Sequence, residues 1–190
     1  MPLQTPNNKV MELEIRKAEL QDLDRLMEIF DHARRFMAAS GNPHQWINGY
    51  PQREYIEREI REGHCHVCRT PEGRTVATFC FLPSPDPFYD RIDDGQWLND
   101  EPYWVIHRLA SDGTVKGIGA VCIDWCARRC GNLRIDTHAD NLVMQRLAER
   151  CGFRRCGIVY VANGTPRIAY QRVAEAGPLP DTVRTEGGAR

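Results

Sequence analysis

The segment from Trp104 to Phe153 constrains the fold more than any other part of the chain. It begins with an apolar run, passes through a turn that contains Gly117 and Gly119, and continues with apolar residues at helical spacing. A second strand pattern and a second helical pattern follow, and Gly152 stands where that helix ends. This order predicts alternating strands and helices with a backbone turn suited to an anion after the first strand.

Apolar periodicity outside this segment predicts one domain of mixed α and β structure. One helix is expected from Leu23 to about Met37, and a second to about Glu62 with Pro51 in its first turn. A third helix is expected to begin near Gly117, and a fourth to follow an N-cap at Asp140 or Asn141. Strands are expected at 12–18, 64–69, 74–82, 103–111, 133–138, 153–161 and 167–173. The long proline-rich and aromatic stretch between Pro83 and Pro102 is expected to be a loop that is functional or poorly ordered.

Length and charge limit the classes of function. The chain has 190 residues and a net charge of −1, so it fits a single domain and lacks the excess of cations that nucleic-acid binding requires. No apolar run approaches the roughly 20 residues that span a bilayer, so no membrane partner is expected and a cytoplasmic protein is the default. We expect a flexible leader at 1–11, a domain at 12–173 and a disordered tail at 174–190.

The eight cysteines are expected to be packing residues rather than ligands. Cys122, Cys126 and Cys130 recur every four residues, which stacks them along one helix. A zinc site within His64–Cys68 is the alternative, but Cys65 and Cys68 fall on opposite faces of a strand and no second ligand pair follows. No metal is therefore predicted.

The glycine turn before the helix is the clearest candidate for ligand binding. Backbone N–H groups at a helix N-terminus lack partners within the helix, and glycine lets a phosphate approach closely. Lys116 adds a positive charge beside them. The alternative is that both glycines only shape the turn. A dinucleotide fingerprint is excluded because Cys122 stands where its third glycine belongs, and no triphosphate loop fits the spacing after Gly113.

The chain resembles the GNAT superfamily of acyl-CoA-dependent N-acetyltransferases. Thr114 to Gly119 is similar to the family motif Gln/Arg-x-x-Gly-x-Gly/Ala, with Thr114 departing at the first position. Leu133 to Asn141 and Arg146 to Phe153 look like the family's strand, Asn-capped helix and Gly-Phe ending, and Ile15 to Leu23 looks like its opening. The resemblance covers about 12–173. It implies a mixed, mostly antiparallel sheet of six to seven strands, about four helices, and a splayed parallel strand pair at the cofactor site.

The resemblance also implies a cofactor, acetyl-CoA, and the residues that hold it. Leu109 and Ser111 would pair with the pantetheine arm through backbone groups, and Asn141 would contact the cofactor, cap its helix, or do both. The pyrophosphate would be held by the amides of Val115, Lys116, Gly117, Ile118, Gly119 and Ala120.

The expected reaction is direct attack of a primary amine on the thioester. We interpret His107 as the base, because an imidazole with a pKa near about 6.5 relays protons at neutral pH; a structural histidine is the alternative. Strand alternation puts His107 on the face of Leu109 and puts Arg108 on the other face. By family analogy the Leu109 N–H meets the oxyanion, whereas Ala148 replaces the usual tyrosine acid.

The acceptor pocket is expected beside the first two helices and the long loop. Its predicted lining residues are Trp46, Tyr50, Phe88, Tyr89 and Trp97, each of which could instead be a packing residue. These residues favour a small-molecule amine or an α-amino group as acceptor, and a homodimer is possible. Because Thr114 and Ala148 depart from the family pattern, an acyl-CoA-binding sensor or docking module of the same fold is the alternative function.

Overall fold

A single sheet of seven strands organises the chain in a computed structural model that describes residues 12–174. The strands are β1 (Glu14–Lys17), β2 (Cys65–Arg69), β3 (Thr75–Pro83), β4 (Trp104–Ser111), β5 (Asn132–Thr137), β6 (Arg154–Tyr160) and β7 (Pro166–Val173). The helices are α1 (Leu23–Ala39), α2 (Arg53–Arg61), α3 (Ile118–Ala127) and α4 (Leu142–Arg150), and a 3-10 turn at Leu20–Asp22 leads into α1.

The strand order is β1-β2-β3-β4-β5-β7-β6. All neighbouring strands are antiparallel except β4 and β5, which are parallel. A parallel pair needs a crossover connection, and α3 supplies it. The expected architecture of a mostly antiparallel sheet, about four helices and one parallel pair is confirmed.

Each face of the sheet carries its own apolar cluster. Helix α3 and Ala148 of α4 pack on one face against Phe79, Ile106 and Ile135, and we call this the α3 face. Helices α1 and α2 pack on the opposite face against alternate residues of the same strands, such as Val67 and Cys80, and we call this the α1 face. The loop between β3 and β4 adds a third cluster, around Tyr89 and Val105. The two faces account for the nearly continuous apolar character of the central strands.

Three local expectations are corrected by the structure. Pro51 lies before α2 rather than in its first turn, because Gln52 is the N-cap of that helix. On α3 the apolar residues at helical spacing that the sequence analysis noted after the turn are Ile118, Val121, Cys122, Trp125 and Cys126. The Val121 side chain is exposed, however, and Ile123 is buried instead. Cys122 and Cys126 of α3 are buried in the α3-face cluster, as predicted. Cys130 is buried in the same cluster, but it lies beyond Ala127, where α3 ends, so the three cysteines do not share one helix.

The long loop between β3 and β4 is anchored to the sheet at several points. Asp93 and Ile158 of β6 exchange two backbone hydrogen bonds, each 2.8 Å long. The Leu98 N–H donates to the side-chain Oε1 of Gln171 at 2.7 Å. Tyr89 of this loop is buried against Val105 of β4. The loop therefore forms part of the wall above the α1 face.

No helix among residues 12–174 is long and apolar enough to cross a bilayer. The predictions of a flexible leader at 1–11 and of a disordered tail concern residues outside those described, apart from Ala174.

Helix α4 ends in a left-handed glycine. Gly152 has a φ of 84°, and the Phe153 N–H donates to the Ala148 carbonyl at 3.0 Å while the Gly152 N–H donates to Glu149. This pattern is a Schellman motif, which satisfies the last carbonyls of the helix. It turns the chain from α4 directly into β6, as the Gly-Phe sequence predicted.

We predict that Gly152→Ala lowers the free energy of unfolding by about 1 to 2 kcal/mol, because an L side chain is disfavoured at positive φ. Gly152→Asn should cost less, since asparagine tolerates this region better. Urea denaturation measures both values. Gly131→Ala is the matched control, because a Cβ there would meet only the Ala174 Cβ at 3.9 Å. Equal losses at both glycines would contradict the explanation.

Candidate active site

An irregularity in β4 shapes the centre of the sheet. Thr78 of β3 lies opposite Ala110, and Cys80 lies opposite His107, so one residue of β3 faces two residues of β4. This is a β-bulge, formed by Arg108 and Leu109. Arg108 has a φ of 55°, which is uncommon for a residue other than glycine. The bulge shifts the alternation of side chains along the rest of the strand.

The predicted alternation around His107 is therefore wrong. Leu109 packs against the cluster of the α3 face, together with Ile106. Arg108 turns instead towards the α1 face, where its guanidinium reaches Tyr50 and Tyr55. His107 and Arg108 thus lie on the same side of the sheet, although neighbouring residues of a regular strand point to opposite sides.

The parallel strands β4 and β5 separate close to His107. Their ladder contains only the pairs Trp104 with Leu133 and Val105 with Arg134. Beyond Val105, β4 continues along β3 through Ser111, whereas β5 continues along β7. A gap between the two strands therefore opens at the bulge, and it fits the splayed pair that the sequence predicted.

The His107 ring is held between two carboxylates. Its Nε2 lies 2.7 Å from Asp86 Oδ2, and its Nδ1 lies 3.8 Å from Asp136 Oδ1. The Tyr89 hydroxyl donates to Asp136 Oδ1 at 2.7 Å. Asp86 comes from the loop after β3 and Asp136 from β5, so three segments meet at the imidazole.

The carboxylate at Asp86 is stabilised in its charged form. Burial raises its pKa, but the hydrogen bond and charge of His107 and the Phe88 N–H outweigh burial and lower the pKa below its usual value. Burial and the nearby carboxylates raise the pKa of Tyr89 well above its usual value, so that phenol stays protonated. The site therefore contains an anion against the imidazole and a neutral tyrosine behind it.

Arg108 makes an unusual set of contacts beside this pair. Its Nε donates to the Tyr50 hydroxyl at 2.7 Å and its Nη2 donates to the Tyr55 hydroxyl at 2.6 Å. Its guanidinium carbon lies 4.1 Å from the centre of the Tyr55 ring. Burial raises the pKa of Tyr55 to about 12, although the charge of Arg108 opposes the rise. Nη1 is buried and has no hydrogen-bond partner among residues 12–174.

The turn before α3 presents backbone donors, as expected. Gly117 is the N-cap of α3, with a φ of 75°, and as a glycine it has no side chain that could cap the helix. The N–H groups from Val115 to Gly119 have no hydrogen-bond partner within residues 12–174, whereas the Ala120 N–H already donates to the Gly117 carbonyl at 3.0 Å. Asp112 holds the turn by accepting from the Thr114 N–H and hydroxyl. These free donors at a helix N-terminus fit a phosphate group.

The two glycines of the turn have different surroundings. A Cβ at Gly117 would meet nothing within 4 Å, so its positive φ is the reason for glycine. A Cβ at Gly119 would lie 2.8 Å from Leu147 Cδ2, so this glycine lets α3 approach α4 closely. These surroundings support the alternative that the glycines shape the turn, and the approach of a phosphate remains a prediction.

Asn141 caps α4 and also joins the loop after α1. Its Oδ1 accepts from the Met144 N–H at 3.0 Å, and its Nδ2 donates to Gln45 Oε1 at 2.8 Å. Gln45 Oε1 also accepts from Asn42 at 2.9 Å. The capping alternative is confirmed, and a contact with the cofactor remains a prediction.

The predicted acceptor residues occupy three different places. Trp46 packs between Phe30 of α1 and Tyr50, and Tyr50 in turn reaches Arg108. Tyr89 lies 6.0 Å from His107 between ring centres. Phe88 is exposed, and its N–H donates to Asp86.

Trp97 lies farther from the imidazole. It donates from Nε1 to the Tyr89 carbonyl, and the Arg134 guanidinium lies over its ring. It lines a cleft of about 400 Å³ with Tyr89 and Asp100, and His107 is not among the lining residues.

The zinc alternative receives no support from the cysteines that suggested it. Cys65 packs on the α1 face and Cys68 on the α3 face, as the strand alternation predicted. A different group, Glu59, Glu62 and His64, offers ligand atoms within 4.8 Å of one another, but His64 Nδ1 is already 3.1 Å from Glu59 Oε2.

Sequence reasoning missed Asp86, Asp136 and the role of Arg108. Asp136 has a signal, because it lies on the polar side of the alternating pattern in β5. Asp86 has none, since it stands in an irregular loop whose path depends on the contacts with β6. The bulge at Arg108 likewise has no sequence marker, because no glycine occupies the positive φ position.

Known structures share this fold. An acetyltransferase of the GNAT family from Streptococcus agalactiae 2603 is 28% identical, covers 86% of this chain and 96% of its own, and has a TM-score of 0.79. A GNAT-family acetyltransferase from Listeria monocytogenes 4b F2365 is 19% identical, covers 87% and 96%, and has a TM-score of 0.67.

A more distant structural neighbour was solved with a cofactor. The NatC complex bound to Gag peptide and CoA contains a chain that is 13% identical, with coverage of 87% and 100% and a TM-score of 0.52, which shows the fold alone. No curated protein matches the sequence.

The family assignment follows from the sequence match together with the strand order and the separated β4–β5 pair. Residues 23–153 match the family model described as "Acetyltransferase (GNAT) family", which is more than half of the chain. The chain therefore belongs to the GNAT family of acetyltransferases.

Proposed function

We propose that the protein transfers an acetyl group from acetyl-CoA to a primary amine of a small molecule or to an α-amino group, by direct attack. One observation supports this most: His107, paired with Asp86 at 2.7 Å, stands where β4 and β5 separate and next to the bulge. A base at the mouth of a gap between strands is the arrangement that an amine and a thioester need in order to meet.

The chain offers a cradle for the cofactor on the other side of this gap. The unpartnered N–H groups from Val115 to Gly119 bind the pyrophosphate, and Lys116 is exposed beside them. Leu109 and Ser111 pair with the pantetheine arm through backbone groups, and Asn141 contacts the cofactor near this arm. The Ala120 N–H, which was predicted to join the pyrophosphate donors, would first have to give up its hydrogen bond to the Gly117 carbonyl. Acetyl-CoA supplies a thioester whose thiol leaves readily, because thiols ionise near a pKa of about 8.5.

His107 acts as the base that takes a proton from the acceptor ammonium. A lysine-like amine with a pKa of about 10.4 is neutral about once in 10³ molecules at pH 7, so its deprotonation costs roughly 4 to 5 kcal/mol. Asp86 fixes the orientation of the imidazole through its contact with Nε2 at 2.7 Å. The Leu109 N–H, in the bulge, would donate a hydrogen bond to the thioester carbonyl oxygen, on which negative charge develops when the amine attacks.

The acceptor binds on the α1 face, between the loop after α1 and the loop after β3. Trp46 and Tyr50 lie on one side of this space, and Phe88 and Tyr89 lie on the other. Trp97, also predicted to bind the acceptor, contacts Tyr89 and lines the neighbouring cleft. Asp136 adds negative charge near the amine, next to Tyr89. We propose a small-molecule amine as partner, in a protein without nucleic-acid or membrane partners. A homodimer and a cytoplasmic location remain predictions.

A binding module without turnover is the second candidate. Ala148 is fully buried in the α3-face cluster and provides no proton donor, and Thr114 is occupied by Asp112 and Arg74. In this second candidate the protein binds acyl-CoA but does not transfer the acyl group to an amine. It would act as an acyl-CoA sensor or as a docking module for a partner.

The two functions differ in one measurement. Mixing the protein with acetyl-CoA, a thiol reagent and a panel of amines should give saturable thiol release that depends on the amine. Thermal stabilisation by CoA without any amine-dependent release would support the binding module instead.

We predict that His107→Gln lowers turnover about 100-fold at pH 7 and much less at pH 9, because the amine then loses its proton without help. Steady-state rates at both pH values test this. His138→Gln, near the end of β5, is the control and should give similar rates at both. An equal loss at pH 7 and pH 9 would remove His107 from the role of base.

We predict that Lys116→Glu raises the dissociation constant of CoA by about tenfold, because it replaces a positive charge beside the phosphate donors with a negative one. Isothermal titration calorimetry at low salt measures the constant. Arg155→Glu on β6 makes the same change of charge on a strand at the far edge of the sheet and should leave binding unchanged. Similar effects of both variants would show that net charge alone is responsible.

A further inference from the structure

We propose that the acceptor carries a carboxylate as well as its amine, and that Tyr50, supported by Arg108, binds this carboxylate. The inference rests on the proposed function and narrows its substrate to the class of amino acids and their close analogues. The observations that lead to it concern groups on the α1 face that the reaction itself does not use.

The first observation is a half-buried guanidinium that contacts no carboxylate directly in the described part of the chain. Arg108 has no carboxylate within the 4.0 Å distance of an ion pair among residues 12–174, and its partners are two neutral phenols. Nη1 is shielded from solvent and finds no acceptor in the part of the chain that the structure describes. Burying a cation without a counter-ion is costly, so a site that keeps one is suited to an anionic ligand. Other arginines, such as Arg16 and Arg25, pair with Asp22 and Asp112.

The second observation is an unused hydrogen-bond donor on Tyr50. Its hydroxyl oxygen accepts from Arg108 Nε, so its own hydrogen must point elsewhere. Within residues 12–174 the Tyr50 hydroxyl has no hydrogen-bond partner other than the donor Arg108, so no acceptor takes its hydrogen. A phenol that accepts from a guanidinium is a polarised donor, and a carboxylate is the acceptor that gains most from it.

The third observation is the separation of charge across the site. Asp86 and Asp136 flank His107, whereas Arg108 follows directly in the bulge and projects from the same face. An ammonium therefore finds negative charge on one side, and a carboxylate finds positive charge a short distance away. A molecule with both groups close together matches this pattern better than a simple amine does.

Arg167 is the other candidate for the carboxylate. It is buried on β7, but its guanidinium already donates to the carbonyls of Pro166 and Gln45 at 3.0 and 3.4 Å. Tyr50 is preferred because its donor is unused and because Arg108 adjoins the base.

The experiment compares three forms of each acceptor: an amino acid such as leucine, its amide leucinamide, and the amine without the carboxylate, isoamylamine. The common amino acids are screened first, so that the comparison uses the side chain that the enzyme prefers in its acceptor. Thiol release then gives kcat/KM for each form, corrected for the fraction of neutral amine at the pH used. We expect the acid to be favoured over the other two forms by at least about tenfold.

The variants locate the carboxylate. Tyr50→Phe and Arg108→Gln should each reduce the preference for the acid about tenfold, mainly through KM. Tyr160→Phe is the matched control and should keep the preference, because Tyr160 ends the edge strand β6, where its ring packs against Arg91. Thermal stabilisation by CoA shows that each variant is folded.

Several results would overturn the inference. Equal use of leucine, leucinamide and isoamylamine would do so and leave the proposed function intact. A preference for the acid that survives Tyr50→Phe but is lost in Arg167→Gln would also reject the assignment. If no amine of any kind supports thiol release, the proposed function fails first, and the inference falls with it.

Discussion

The bulge in β4 is the constraint on which the site depends. One residue of β3 faces Arg108 and Leu109, so His107 and Arg108 share a face and Leu109 returns to the α3 face. Without this extra residue, strand alternation would bury Arg108 beneath α3 or expel it from the sheet. The α1 face instead receives an imidazole and a guanidinium side by side. The positive φ at Arg108 is a local strain that the surrounding pairing with β3 maintains.

Charge in the site is arranged by elements that are distant in sequence. Asp86 arrives on the loop after β3, Asp136 on β5, and Tyr50 on the loop after α1, and all three surround residues 107 and 108. The loop after α1 is tied to α4 through Gln45 and Asn141, so the same contacts that cap a helix also position the acceptor side. Packing and chemistry are therefore coupled through a few polar side chains rather than through the apolar core.

Most of the fold could be predicted from the sequence because its signals are local. The strand pattern of β5, the asparagine cap of α4 and the left-handed Gly152 each depend on residues within a few positions. The glycine turn before α3 was likewise recognised, although Gly119 proved to serve the contact with Leu147. The exposed Val121 shows the limit of this approach. Periodicity identifies the apolar stripe of a helix, but it does not show which residues of that stripe a neighbouring element buries.

Local periodicity thus specified the order of strands and helices, the donor-rich turn and the presence of a histidine on the central strand. The partners of that histidine could not be read from the chain, because Asp86 and Asp136 are 21 and 29 positions away and come together only when the sheet forms. The face of Arg108 was also decided by folding, since a bulge arises from the pairing of two strands and not from either strand alone. Spacing along the sequence describes neighbours within an element, whereas a site that joins a loop, a bulge and a parallel strand is defined by contacts between elements.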